Sequence, residues 1–180
     1  MAKYRRKSRG KTINPTFFVF CEGESEDTYI SFLRSWYRLP IEIFSKKVGN
    51  RVTQSYINNT LRTSPRHEKD RIFLMYDLDA SGMLEKLQGI ESATIIVSNP
   101  CFELWYILHF VNQTAEISSQ QCIEKFQKIC KEYKKGFISL KLRERLEDSL
   151  DKAVSRAKKL PLYKNPSTSI YLLIDALEKI

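Results

Sequence analysis

Apolar residues in the first half of the chain come as short runs separated by amphipathic stretches. Residues 16–21, TFFVFC, read as a short strand buried on both faces. From 25 to 38, Ile30, Leu33 and Tyr37 recur on one helical face. Ser25 is placed to cap that helix, and Glu26 and Asp27 suit its positive end. Pro40 closes it, and IEIFS at 41–45 alternates as a strand does. A weaker helical pattern at about 53–63 gives way to the polar loop TSPRHEKD. RIFLMYD, 71–77, is a second buried strand, and DASG after it signals a turn. A short helix around Met83 to Leu87 and the apolar run SATIIVS complete the order β-α-β-α-β-α-β. That order predicts an α/β fold with a mostly parallel, right-handed sheet.

After Pro100 the pattern turns helical. CFELWYILHFV is apolar nearly all round, as a buried helix is. Residues 120–133 carry Cys122, Phe126, Ile129 and Tyr133 at helical spacing. Residues 140–160 do the same with Leu142, Leu146, Leu150, Ala153, Ala157 and Leu160. A last helix is predicted from Ser167, with Ser167 or Thr168 as its cap. The chain is thus expected to comprise a basic tail (1–15), an α/β core (16–100) and a helical extension packed on that core (101–180).

Composition adds a basic balance. Thirty Lys and Arg face 21 Asp and Glu, a net charge of +9, with six cations and no acid among Lys3, Arg5, Arg6, Lys7, Arg9 and Lys11. A second basic-rich region runs from Lys131 to Lys159. Such a balance favours a polyanionic partner, because Lys and Arg release counterions from phosphates. No apolar run approaches the roughly 20 residues of a membrane helix, and the tail lacks the apolar stretch of a secretory signal. Cys21, Cys101, Cys122 and Cys130 form no C-x-x-C pair, which points to free thiols in a reducing cytoplasm.

Against that excess of cations, two predicted strands end in acids. The first runs into Glu22, Gly23, Glu24, Ser25, Glu26 and Asp27, the second into Asp77 and Asp79. In a parallel sheet, ligands gather beyond the carboxyl ends of the strands. Neighbouring strands lie ~4.8 Å apart, so Glu22 is within reach of the later pair across one or two strands. If the strand persists, Asp77 and Asp79 face the same side; if it turns, both still fold over its end. Carboxylates gathered there repel one another unless a cation sits between them, and Mg²⁺ takes carboxylate oxygens together with substrate phosphate. Gly23 permits a tight turn or a close approach. The plain alternatives are first-turn acids on a helix for Glu24, Glu26 and Asp27, and turn caps for Asp77 and Asp79.

The joint pattern, Glu22-Gly23-x-Ser25 followed roughly 50 residues later by Asp77-x-Asp79, resembles the Toprim domain of topoisomerases, bacterial primases and OLD-type nucleases. The resemblance covers about residues 16–100. It implies Mg²⁺ or Mn²⁺ held by Glu22, Asp77 and Asp79, and it gives Glu26 the acidic position of the OLD-type nucleases. A closer likeness spans nearly the whole chain. FCEGESE, SNPCFELWYILHF and NPSTSIYLLIDAL, with a basic N-terminus, resemble the RloB-like family. That family is associated with bacterial restriction and abortive-infection loci, often beside an AAA-type ATPase. The resemblance therefore implies a Toprim-like nuclease in phage defence. No further acid follows the Asp77-Asp79 pair in ASG, so a second-metal ligand must come from elsewhere.

Glu103 and His109 are polar residues of an otherwise apolar helix, separated by about 120° around it. Glu103 reads equally as a partner of the acids and as a structural group, whereas His109 reads as a satisfied core histidine ahead of the alternative, a general base. Asn99-Pro100 reads as the stop of a strand and the start of a helix.

The leading expectation is metal-dependent phosphodiester cleavage of DNA or RNA, with Glu22, Glu26, Asp77 and Asp79 catalytic. Glu26 would bind a second metal or act as general base. The alternatives are a non-cleaving nucleic-acid-binding module, or a subunit docking on a partner ATPase. The chain has no G-x-x-x-x-G-K motif, so ATP hydrolysis would belong to that partner.

Overall fold

The computed structural model describes residues 15–37 and 42–180. Residues 1–14 of the basic tail and Pro40 lie outside them, so the expectations placed there concern residues not described. The sheet is built from β1 (Thr16–Cys21), β2 (Glu42–Lys47), β3 (Arg71–Asp77), β4 (Ala93–Asn99) and β5 (Ser167–Thr168), in the order β2-β1-β3-β4-β5. The first four are parallel, and the two-residue β5 runs antiparallel along β4.

Alternation along the inner strands sorts side chains to two faces. Phe17, Val19, Cys21, Phe73 and Met75 join one core with α1 (Glu24–Tyr37) and the helices of the second half. Phe18, Phe20, Leu74 and Tyr76 join a smaller core with α2 (Gln54–Arg62) and α3 (Met83–Gln88). Because both faces are covered, the strands read as unbroken apolar runs. Thr53 caps α2 by accepting from the Tyr56 amide at 3.1 Å, in the stretch where the sequence shows only a weak helical pattern.

The second half folds as α4 (Glu103–Phe110), α5 (Ser119–Ile129), α6 (Leu140–Glu147), α7 (Leu150–Ala157) and α8 (Tyr171–Leu177). Around α4 lies an aromatic core, with Tyr29 of α1 against Phe102, Trp105 and Tyr106, and Tyr106 stacked on Phe126.

Several boundaries differ from the sequence expectation. The single helix of 140–160 is two, because the chain turns at Asp148 and Ser149, whose hydroxyl donates to the Arg145 carbonyl and also meets His109 Nδ1. The apolar period continues across the break, which is why the pattern hid it. The helix from 120 stops at Ile129, and a tight turn follows, bridged between Lys134 and Phe137. Ser167 and Thr168 do not cap the last helix. They pair with β4, Thr168 Oγ1 meeting Ser98 Oγ at 2.9 Å, and the helix begins at Tyr171. Pro100 precedes α4 by a loop and does not stand in its first turn. All four cysteines are free and buried, in keeping with their apolar settings. No helix among the described residues is long and apolar enough to cross a membrane.

Candidate functional site

The strand order places a switch point at the carboxyl ends of β1 and β3. From β1 the chain steps outward to β2, then crosses back to β3 on the other side, leaving a crevice between the two central strands. Register sets what meets there. Cys21 pairs with Met75, and the Glu22 amide donates to the Met75 carbonyl at 3.0 Å. One residue past the end of β1, the Glu22 carboxylate accepts from the amide of Asp77, the last residue of β3, Oε2 to N 2.9 Å. The two predicted acids therefore come together directly across neighbouring strands. β3 ends at Asp77, although Leu78 still donates to the Ser98 carbonyl, and Asp79 lies exposed just beyond.

Helix starts deliver two more carboxylates to the same end. Asp77 continues the parity of Phe73 and Met75, towards the face covered by α1 and α4. Glu26, in the first turn of α1, is only 3% exposed, and its Oε2 has no hydrogen-bond partner. Gly23 makes room for it: a Cβ there would stand 3.2 Å from that oxygen. Glu103 opens α4 and is 1% exposed, its Oε1 accepting from Tyr133 Oη at 2.6 Å and from Ser25 Oγ at 3.4 Å. Ser25 is thus not the cap of α1, which starts one residue earlier; its hydroxyl is spent on Glu103. Glu24 is the surface acid of the group, paired with Lys47 Nζ at 2.9 Å, which lowers its pKa.

The electrostatics follow from this crowding. Burial lifts the Asp77 carboxyl well above the usual range, and Glu26, Glu22, Glu103 and Asp79 add to the rise. Glu26 is pushed up to about 7, first by burial and then by Glu22 and Glu103, while its own backbone and Lys135 pull the other way. Glu22 is raised by burial and by Asp79, against the hydrogen bond from the Asp77 amide and the charge of Lys135. Five carboxylates therefore share one field, with Lys135 as the cation felt by Glu22 and Glu26.

Donor type and charge suit a hard divalent cation: all oxygens, negative overall, with one buried oxygen lacking a protein partner. The arrangement does not converge on one point. Among the described residues, no group of three or more His, Cys, Asp or Glu side chains stands in a metal-holding geometry. A cleft of about 470 Å³, lined by Pro15, Phe17, Asp70 and Arg71 among others, lies at the opposite, amino end of β1 and β3. It contains none of these acids.

A family model for RloB-like proteins matches residues 17–177. The chain belongs to the RloB-like family. No curated protein and no solved structure matches it.

The stretches that carry the RloB-like resemblance take separate places in the structure. FCEGESE supplies Glu22 and Glu26 at the end of β1. In SNPCFELWYILHF, Glu103 reaches the acids and His109 does not. His109 Nδ1 meets Ser149 Oγ at 3.1 Å, its ring stands edge-on to Trp105, and burial lowers its pKa to about 3. NPSTSIYLLIDAL is structural: Asn165 holds Ile117 through both its amide N–H and its carbonyl, and Ser169 Oγ accepts from the Val97 amide. Sequence reading missed Ser25, Tyr133 and Lys135 as neighbours of the acids. The adjacent lysines ahead of Gly136 were the available sign for Lys135, and the Glu22-Gly23-x-Ser25 pattern was the sign for Ser25; Tyr133 carries none.

Proposed function

We propose that this protein is a Mg²⁺- or Mn²⁺-dependent phosphodiesterase of the Toprim kind, acting on DNA or RNA. Glu22, Asp77 and Asp79 are its metal ligands, and Glu26 is its general base or a further ligand. The observation that carries this reading is the buried, unpartnered Oε2 of Glu26 within a group of carboxylates where burial and like charge raise the pKa values of Glu26 and Asp77. Leaving such an oxygen unsatisfied costs free energy, and so does gathering like charges; a bound cation offsets both.

Each residue has a task. The Asp77 amide orients the Glu22 carboxylate towards the crevice. A Glu26 pKa of about 7 suits a group that must take a proton from water near neutral pH. Tyr133 and Ser25 hold Glu103 in place, so the fifth carboxylate is positioned without being free to turn. When bound, the metal supplies Lewis-acid polarisation of the phosphate. By the same resemblance we propose a role in bacterial phage defence beside an AAA-type ATPase.

The test is calorimetric titration of the full chain with Mn²⁺, beside Glu22→Gln and Asp77→Asn, followed by cleavage assays on DNA and RNA. Binding and cleavage that both substitutions remove support the reading. Persistent failure to bind metal, even with an oligonucleotide present, removes it and leaves a nucleic-acid-binding or ATPase-docking subunit.

A further inference from the structure

The tight turn between α5 and α6 is fastened to the acidic site on two sides. Tyr133, at its entrance, donates to Glu103 at 2.6 Å. At its tip, the Gly136 carbonyl accepts from Thr28 Oγ1 of α1 at 3.0 Å. Gly136 has φ +73°, and a Cβ there would stand 3.1 Å from the Glu24 Cβ, so both backbone and space demand glycine. The Phe137 amide returns to the Lys134 carbonyl at 3.1 Å and closes the turn.

What this fastened turn presents is unusual beside a row of acids. Lys131, Lys134 and Lys135 are exposed, and among the described residues none of them forms a close ion pair. Phe137 is 56% exposed and Leu140, which opens α6, is 77% exposed. The turn's backbone is pinned, yet more than half of the Phe137 surface is left to solvent, where burial contributes least. Gly136 stands against Glu24 and Thr28 in the first turns of α1, so Lys135, its chain neighbour, leads into the turn beside the acidic end of β1.

We propose that this turn seats a single-stranded nucleic acid, with Phe137 stacking on an unpaired base and Lys135 meeting the adjoining phosphate. The inference rests on the phosphodiesterase reading for why a phosphate should lie at this crevice. A single strand is specified because a base must be free to present its face, and a base-paired one in a duplex is not. Lysines flanking an exposed aromatic ring are the combination that tracks a backbone and stacks a base. An apolar partner protein would use Phe137 and Leu140 but would have no use for the three exposed lysines around them.

The experiment measures anisotropy of short labelled single-stranded DNA and RNA, and of the matching duplex, with the full-length protein in EDTA and again in Ca²⁺. Phe137→Ala is expected to weaken single-strand binding by about tenfold and Phe137→Trp to restore it. Lys135→Gln is expected to reduce the slope of log Kd against log salt by about 0.7. Equal affinity of wild type and Phe137→Ala overturns the inference. So do tighter binding of duplex than of single strands, and absence of any oligonucleotide binding. Mn²⁺ calorimetry on the same variants separates the two readings. Phe137-dependent binding in a protein that takes no Mn²⁺ keeps the seat and removes the nuclease, whereas normal Mn²⁺ binding with Phe137-independent affinity does the reverse.

Discussion

The two ends of α4 bury titratable groups in opposite ways. At its start, Glu103 joins Glu26, Asp77, Glu22 and Asp79 in a field where burial and like charge raise the pKa values of Glu26, Asp77 and Glu22. At its end, His109 is a lone imidazole kept neutral by burial, with Ser149 on one nitrogen and Trp105 against its ring. Both groups are shielded from water, so burial alone does not mark function. The distinction lies in the company. The histidine is one group that burial keeps uncharged, and it is not fully satisfied, its Nε2 having no hydrogen-bond partner, while the carboxylates are gathered in numbers their surroundings do not neutralise. Only the second arrangement improves when a cation arrives.

The largest expected effect is on that asymmetry itself. Asp77→Asn should abolish Mn²⁺ binding and reduce any cleavage by more than the about 10–100-fold typical of outer-shell changes. The metal-free protein should melt no lower, since a repelling charge is gone. His109→Gln should leave Mn²⁺ binding intact, as read by calorimetry; if it removed binding from a folded protein, the contrast between the two ends would collapse. Next comes Trp105→Ala, which empties the core beside His109 and should cost about 3–5 kcal/mol in urea denaturation.

The pH dependence of stability sharpens the comparison further. Glu26 titrates near 4.5 when unfolded and at about 7 when folded, so the native state holds the extra proton between those values. Its contribution is fully present below pH 4.5 and is lost as pH rises to about 7, by up to about 3 kcal/mol. Glu26→Gln, or saturating Mn²⁺, should flatten that slope in chemical denaturation. His109 gives the opposite sign: its pKa is lowered from 6.5 to about 3, so stability is full above 6.5 and lost as pH falls towards 3. The smallest expected change is Ser149→Ala, which removes the hydroxyl between His109 Nδ1 and the Arg145 carbonyl and should cost about 1–2 kcal/mol, with metal binding unchanged.

Much of this architecture was legible beforehand, for physical reasons. Strands covered on both faces must be apolar throughout, so TFFVFC and RIFLMYD announced β1 and β3, and their carboxyl ends drew attention to Glu22, Asp77 and Asp79. Where two interactions compete for one local pattern, the reading failed. Leu146, Leu150 and Ala153 keep a helical period across Ser149, yet the chain breaks there. Ser25 has the chemistry of a cap, but the buried Glu103 carboxylate takes its hydroxyl. Ser167 and Thr168 look like a helix start and serve instead as the edge of the sheet.

By itself, then, the sequence determined the alternation of buried strands and helices and the acids at two strand ends, because period and burial are written residue by residue. It equally determined that Glu103 and His109 stand apart around one helix. Only the tertiary structure decided that β1 and β3 are neighbours in a register that sets Glu22 against the Asp77 amide. It alone brought Glu103, Tyr133, Ser25 and Lys135 to the same crevice, and took His109 away from it. Contacts between residues dozens of positions apart depend on strand order and on the packing of α4 against the sheet, and no local pattern encodes either.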